Sequence, residues 1–102
     1  MSVGQVKVPR AELTDYCRRN GIRMLALFGS VLTDRFSDSS DIDVLVELEP
    51  DTRAGFLRMA AMERELSALF GGRKVDLRTP NELSRHFRDE VMGSAAIQYA
   101  AQ

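Results

Sequence analysis

Three aspartates placed in two short apolar runs most constrain how this chain can fold. Asp41 and Asp43 open the apolar run 44–46, and Asp76 interrupts a later run, 74–77. Because side chains alternate across a β-strand, Asp41 and Asp43 are expected to share one face of a strand. Aspartate is depleted in strands, and two buried, ionised carboxylates on one face require a cation between them. The pattern predicts a divalent metal site whose other ligands are phosphates.

A Gly-Ser pair ends another apolar run. The run Ile22–Phe28 is apolar on both faces apart from Arg23, which predicts a central strand covered on both sides. Gly29 and Ser30 then predict a strand-to-helix turn, followed by a short helix to about residue 32. Glycine lets the backbone approach a phosphate closely, and the following N–H groups and the Ser30 hydroxyl can donate to it. A tight turn with a serine N-cap is the alternative, and the three acids favour phosphate binding.

Size, charge and cysteine content exclude several classes of protein. The 102 residues suit one domain, residues 1–102, and the net charge of −1 gives no overall field that favours nucleic acid. No apolar run is long enough to span a membrane, and the N-terminus lacks the pattern of a signal peptide. Cys17 has no partner for an internal disulfide, which is typical of a cytoplasmic protein. Cys17 and His86 are too few for a structural zinc site.

The remaining pattern alternates helices with strands. In chain order it first predicts a loose lead-in over 1–8, a helix from Pro9 to before Gly21, a polar loop over 33–40 and a strand over 41–48. A helix cap at 50–52 is then predicted to precede a helix over 54–70, whose core-facing stripe runs from Phe56 to Phe70. The last predicted elements are a strand over 73–78, a capping box at 79–82 with a helix to about Met92, and a short strand over 96–99. This order predicts an α/β (α+β) fold with a small mixed β-sheet flanked by helices.

The combination of Gly29-Ser30, the Asp41-x-Asp43 pair and the later Asp76 resembles the minimal nucleotidyltransferase family of the DNA polymerase beta superfamily. The resemblance runs from about residue 25 to 76, and more loosely to 99. It implies a nucleotidyltransferase-like core that binds ATP. It also implies that Asp41 and Asp43 bind two Mg²⁺ ions, while Asp76 completes the set and assists deprotonation of the attacking hydroxyl.

The turn after the Gly-Ser pair departs from the family pattern. Many relatives carry arginine and glycine there, whereas this chain has Val31 to Arg35. If an arginine in this turn holds the triphosphate, Arg35 is the remaining candidate, and Ser40 in the polar loop is a further candidate for nucleotide binding. For the acids, the alternative to metal binding is an exposed edge strand on which Asp76 pairs with Arg78 or Lys74.

The resemblance also implies a partner. Relatives of this kind are commonly antitoxins paired with a HEPN-domain toxin, and some transfer AMP from ATP onto that toxin. We therefore expect Mg²⁺-dependent transfer to a hydroxyl, expected to be a tyrosine, within a hetero-oligomer. One alternative is a binding module that neutralises the toxin by contact alone. Another is transfer to a small molecule, against which the lack of a separate substrate domain counts.

Overall fold

A mixed β-sheet with helices on both faces forms the structure. The computed structural model describes residues 2–3, 6–32, 40–53, 55–80 and 85–101. Its elements are β1 (Ser2–Val3), β2 (Val6–Lys7), α1 (Arg10–Arg19), β3 (Ile22–Phe28), a 3-10 helix (Gly29–Leu32), β4 (Ile42–Leu48), α2 (Phe56–Leu69), β5 (Val75–Arg78), α3 (Arg85–Ser94) and β6 (Ala96–Ala100).

The main sheet has four strands in the order β5-β4-β3-β6. Strand β3 pairs antiparallel with both β4 and β6, whereas β4 and β5 run parallel and are connected through α2. The predicted mixed sheet is confirmed, including the closing strand near residues 96–99. The position of β3 between two strands agrees with its apolar sequence.

Alternation along the strands divides the sheet into two unlike faces. One face packs against α1 and α2, where Ile42, Val44 and Val46 join Leu13 and Met62 in the larger core cluster. Each large aliphatic side chain that is fully buried in this way contributes about 1.5–3 kcal/mol. The opposite face has a smaller cluster, formed by Phe28, Leu45 and Val91 of α3. The aspartates of β4 and β5 alternate with the larger cluster's residues, so they lie on this second face, called here the open face.

The N-terminal lead-in predicted for residues 1–8 is wrong. Strands β1 and β2 form an antiparallel hairpin, and Val6 and Val8 are buried in the larger core cluster. Two-residue strands are too short to show an alternating pattern in the sequence, so periodicity could not identify them.

The predicted beginning of α2 is also wrong. The predicted cap at 50–52 is a turn, in which the Thr52 N–H donates to the Glu49 carbonyl over 2.9 Å, and the helix begins at Phe56 after Gly55. Phe56 therefore lies in the first turn and is 87% exposed instead of joining the predicted stripe, although Met62 and Leu66 are buried as expected. The end of α2 is confirmed, because Gly71 and Gly72 both have positive φ.

Other predictions differ by a residue or two, or lie outside the described chain. Asp41 directly precedes β4, and β5 begins at Val75 instead of at residue 73. The loop 33–39, the capping-box residues 81–82 and the side chain of His86 lie outside the described residues. No helix in the described part of the chain is both long enough and apolar enough to cross a membrane.

Cys17 provides a test of the core. Its side chain is fully buried in α1, and burial raises the pKa of the thiol to about 12. Since the thiolate is the reactive form, the native protein is expected to resist thiol-labelling reagents at neutral pH and to react only on unfolding. The labelling rate should rise with urea in parallel with loss of circular dichroism. Rapid labelling of the native protein without urea would contradict this packing of α1.

Candidate functional site

Three aspartates come together on the open face where β4 and β5 begin. Asp43 pairs with Asp76 across the parallel β4–β5 ladder and with Phe28 across the antiparallel β3–β4 ladder. Neighbouring strands lie about 4.8 Å apart, so the side chains of Asp43 and Asp76 are adjacent on one face. Asp41 lies two residues before Asp43 along the same strand direction. The structure thus brings together the three acids that the sequence pattern singled out.

The electrostatics of Asp43 reflect this crowding. Burial raises the pKa of the Asp43 carboxyl above its usual value, and the negative charges of Asp76 and then Asp41 raise it further. The positive charge of Arg78 acts in the opposite direction. Asp43 is therefore a carboxylate whose ionised form would be favoured by an additional cation on the open face.

Two cations already pair with the flanking acids. Arg78 Nε lies 3.3 Å from Asp76 Oδ1, and Lys74 Nζ lies 3.9 Å from Asp41 Oδ2. The Asp76–Arg78 pair is the arrangement that the sequence suggested as an alternative to metal binding. Here it coexists with the three-acid cluster, because residues 76 and 78 alternate onto the same face of β5.

Gly29 lies directly against Asp43. Its φ is +75°, a conformation that disfavours any side chain. A Cβ at this position would overlap the Asp43 carboxylate oxygen Oδ2 and approach the carboxylate carbon to 3.2 Å. Glycine is thus required both by the backbone and by the carboxylate, and the turn predicted to bind phosphate is located beside the acids.

The short helix predicted after Gly29 is present as one 3-10 turn, Gly29–Leu32, anchored by the fully buried Val31. A four-residue turn has few aligned peptide dipoles. Its dipole therefore contributes little to phosphate binding. The backbone of Ser30 belongs to this turn. Its side chain and all of Arg35 lie outside the part of the chain that the structure describes.

Two contacts that sequence reasoning missed hold β5 in place beside the acids. Arg73 Nη2 donates to the Ser40 carbonyl over 2.9 Å, which ties the residue before Asp41 to the start of β5. On the other side of β5, Glu63 Oε2 accepts a hydrogen bond from the Leu77 N–H over 2.8 Å. The cluster of basic residues near position 73 is the sequence feature that could have pointed to the contact of Arg73. No feature of the helical pattern of α2 distinguishes Glu63 from the other polar residues of that helix.

The donor set suits a hard divalent cation. Carboxylate oxygens are the ligands that Mg²⁺ prefers, and glycine at position 29 puts no side chain of its own against the Asp43 carboxylate. Among the described residues, no three Asp, Glu, His or Cys side chains are already arranged around one ion position. In this structure the carboxylates of Asp41 and Asp76 pair with Lys74 and Arg78 instead.

Comparison with known proteins identifies the family. The profile of the family described as polymerase beta, nucleotidyltransferase matches residues 11–101. The chain belongs to this family. As a polymerase beta nucleotidyltransferase it is an enzyme of nucleotidyl transfer, and the fold class and family predicted from its sequence are confirmed.

Individual similar proteins agree with this assignment. A solved structure described as a minimal nucleotidyltransferase is 30% identical, with a TM-score of 0.68 over 84% of this chain and 85% of that one. A Methanocaldococcus jannaschii protein named as a protein adenylyltransferase is 24% identical over 95 residues, which cover 93% of this chain and 96% of the relative. A toxin–antitoxin crystal structure with AMP-PNP has the same fold, with a TM-score of 0.72 at 18% identity, covering 93% of this chain and 76% of that one.

Proposed function

We propose that this nucleotidyltransferase transfers AMP from ATP to a hydroxyl group, expected to be a tyrosine, of a HEPN-domain ribonuclease toxin, and thereby acts as its antitoxin. The observation that carries the proposal is the position of Asp43 on the open face, beside Asp76 and Asp41 and against Gly29. A pure binding surface has no need for three like charges in one place, whereas nucleotidyl transfer does.

Each residue of the site has a role in this proposal. Asp41, Asp43 and Asp76 would hold two Mg²⁺ ions, which supply positive charge to the triphosphate and to the attacking oxygen. The acceptor oxygen forms a bond to the α-phosphorus of ATP as the bond to the pyrophosphate oxygen breaks, and Asp76 assists removal of the hydroxyl proton. Gly29 allows the backbone to approach the phosphates, with Ser30, Ser40 and Arg35 as further nucleotide contacts.

The partner is inferred from the relatives. One is named as a protein adenylyltransferase, and a protein with the same fold was crystallised as a toxin–antitoxin complex with AMP-PNP. These names support a protein acceptor and an adenine nucleotide. We extend them to this chain as a cytoplasmic hetero-oligomer with its toxin, in which the acceptor side chain reaches the open face.

Neutralisation by contact alone is the competing function. The ion pair between Arg78 and Asp76 favours it, because an internal cation can offset part of the acidic charge without any metal. In that case the site would be unused, and the toxin would regain activity whenever the two proteins separate.

One experiment separates the two functions. The protein is incubated with its cognate toxin, ATP and Mg²⁺, and the toxin is then isolated, weighed by intact-protein mass spectrometry and assayed. We expect the toxin to gain the mass of one or more AMP units and to stay inactive after separation. The matched control is a variant in which Asp41, Asp43 and Asp76 are all asparagine. If the toxin gains no mass, and the triple variant still neutralises it fully, neutralisation by contact would be established instead.

A further inference from the structure

Arg78 makes a two-point contact with one of the three acids. Its Nε lies 3.3 Å from Asp76 Oδ1, and its Nη2 donates to Asp76 Oδ2 over 3.4 Å. The contact thus engages both oxygens of the Asp76 carboxylate. In the β4–β5 register Arg78 pairs with Leu45, two residues further along the strands than the Asp43–Asp76 pair. The Arg78 charge is therefore located at the edge of the acidic cluster.

The chemistry of the guanidinium suits it to stand in for a metal ion. Arginine keeps its charge at every accessible pH and presents its donors as a fork that matches a carboxylate. The side chains of Arg78 and Asp76 are 48% and 37% exposed, and ion pairs with such access to water are weak enough to exchange. Lys74 is less suited to the same role, since its ammonium is 3.9 Å from Asp41 and its side chain is 80% exposed.

We propose that Arg78 is the internal counter-cation of Asp76 and competes with the divalent ion for its carboxylate. This inference rests on the metal-binding role of the three acids in the proposed function. Arg78 is then a positioning residue: it holds Asp76 beside Asp43 before the ion arrives, and it lowers the affinity of the site for that ion. The guanidinium must give up Asp76 before both carboxylate oxygens are available to a metal.

The test measures metal binding and not activity. Mn²⁺ is titrated into the protein without nucleotide, and free Mn²⁺ is counted by electron paramagnetic resonance. We expect Arg78→Gln to bind Mn²⁺ about three- to tenfold more tightly, because a unit positive charge within several ångströms of the ion has been removed. Arg78→Lys keeps the charge but loses the fork, so its affinity should lie between those of the wild type and Arg78→Gln.

Arg23→Gln is the matched control. It removes the same charge from an ion pair of the same length, since Arg23 Nη1 lies 3.3 Å from Glu47 Oε1. Glu47 is four residues along β4 from Asp43, about 13 Å away, which exceeds the screening length of about 8 Å at physiological ionic strength. We therefore expect the affinity of Arg23→Gln for Mn²⁺ to remain that of the wild type.

The outcomes distinguish this inference from the proposed function. Suppose first that Asp41→Asn/Asp43→Asn loses the Mn²⁺ binding of the wild type. In that case, unchanged or weaker Mn²⁺ binding by Arg78→Gln would overturn the proposed role of Arg78 but not the metal assignment. An equal gain of affinity in Arg23→Gln would do the same. If wild-type binding does not depend on those two aspartates, the metal assignment fails and the role of Arg78 fails with it.

Discussion

Replacing Asp41 and Asp43 together by asparagine is expected to abolish nucleotidyl transfer while leaving the protein folded. The variant loses two adjacent carboxylates of the open face, and transfer should fall by at least about a hundredfold, as is common when a stabilising charge is removed from an active site. The pKa of Asp43 is raised by burial and by its acidic neighbours, which means that the folded state already disfavours its charge. A neutral amide of similar shape should therefore leave the free energy of unfolding unchanged or increase it.

The measurement combines transfer of label from α-labelled ATP with thermal unfolding. Glu47→Gln/Glu49→Gln is the matched control, because it also removes two negative charges but does so away from the acidic cluster. Glu47 lies near the end of β4, and Glu49 directly follows that strand. The control should retain transfer. If the Asp41→Asn/Asp43→Asn variant transferred label at the wild-type rate, the assignment of these aspartates to the active site would be wrong.

Gly29→Ala is expected to impair both transfer and stability far more than Gly71→Ala does. The two glycines have the same φ of +75°, so each substitution introduces backbone strain of about 1–2 kcal/mol. They differ in their surroundings. Within the described residues, a Cβ at residue 71 would have no atom within 4 Å apart from its chain neighbours, whereas a Cβ at residue 29 would overlap the carboxylate of Asp43. The difference between the variants therefore isolates the contact with Asp43.

Urea unfolding measures the stability of each variant, and kcat/KM for transfer measures the effect on the site. We expect Gly71→Ala to lose stability by the backbone strain alone and to retain transfer. In Gly29→Ala, Asp43 or the turn must shift, so transfer should fall even when the variant is fully folded. Similar losses of transfer in the two variants would show that the close approach of Gly29 to Asp43 has no functional role.

The parts of the fold that the sequence predicted well are those with a periodic pattern. In β4 the apolar side chains alternate with the acids, and this alternation correctly predicted that Asp41 and Asp43 share one face, just as it separated Asp76 from Val75 and Leu77 in β5. The pairing of Asp43 with Asp76 required more than a pattern. It depends on the parallel register of β4 and β5, which the α2 connection and the whole sheet determine.

Features without such a pattern could not be predicted. The β1–β2 hairpin has two-residue strands, and its burial depends on core positions that only the folded sheet creates. The exposure of Phe56 follows from the helix beginning at residue 56, although its position in the apolar stripe favoured the core. The coexistence of the acid cluster with the Arg78 ion pair could not be resolved from sequence either, because local spacing is compatible with both arrangements.

The hydrogen bond from the Leu77 N–H to Glu63 has a consequence for self-association. Among the described strands β5 is an edge of the sheet, and an edge strand with unused N–H groups can recruit a strand from another molecule. The Glu63 carboxylate occupies the position that the carbonyl oxygen of such an incoming strand would take. A negatively charged side chain from α2 thus opposes sheet extension at the edge that carries Asp76, because an incoming strand would have to displace it from the Leu77 N–H.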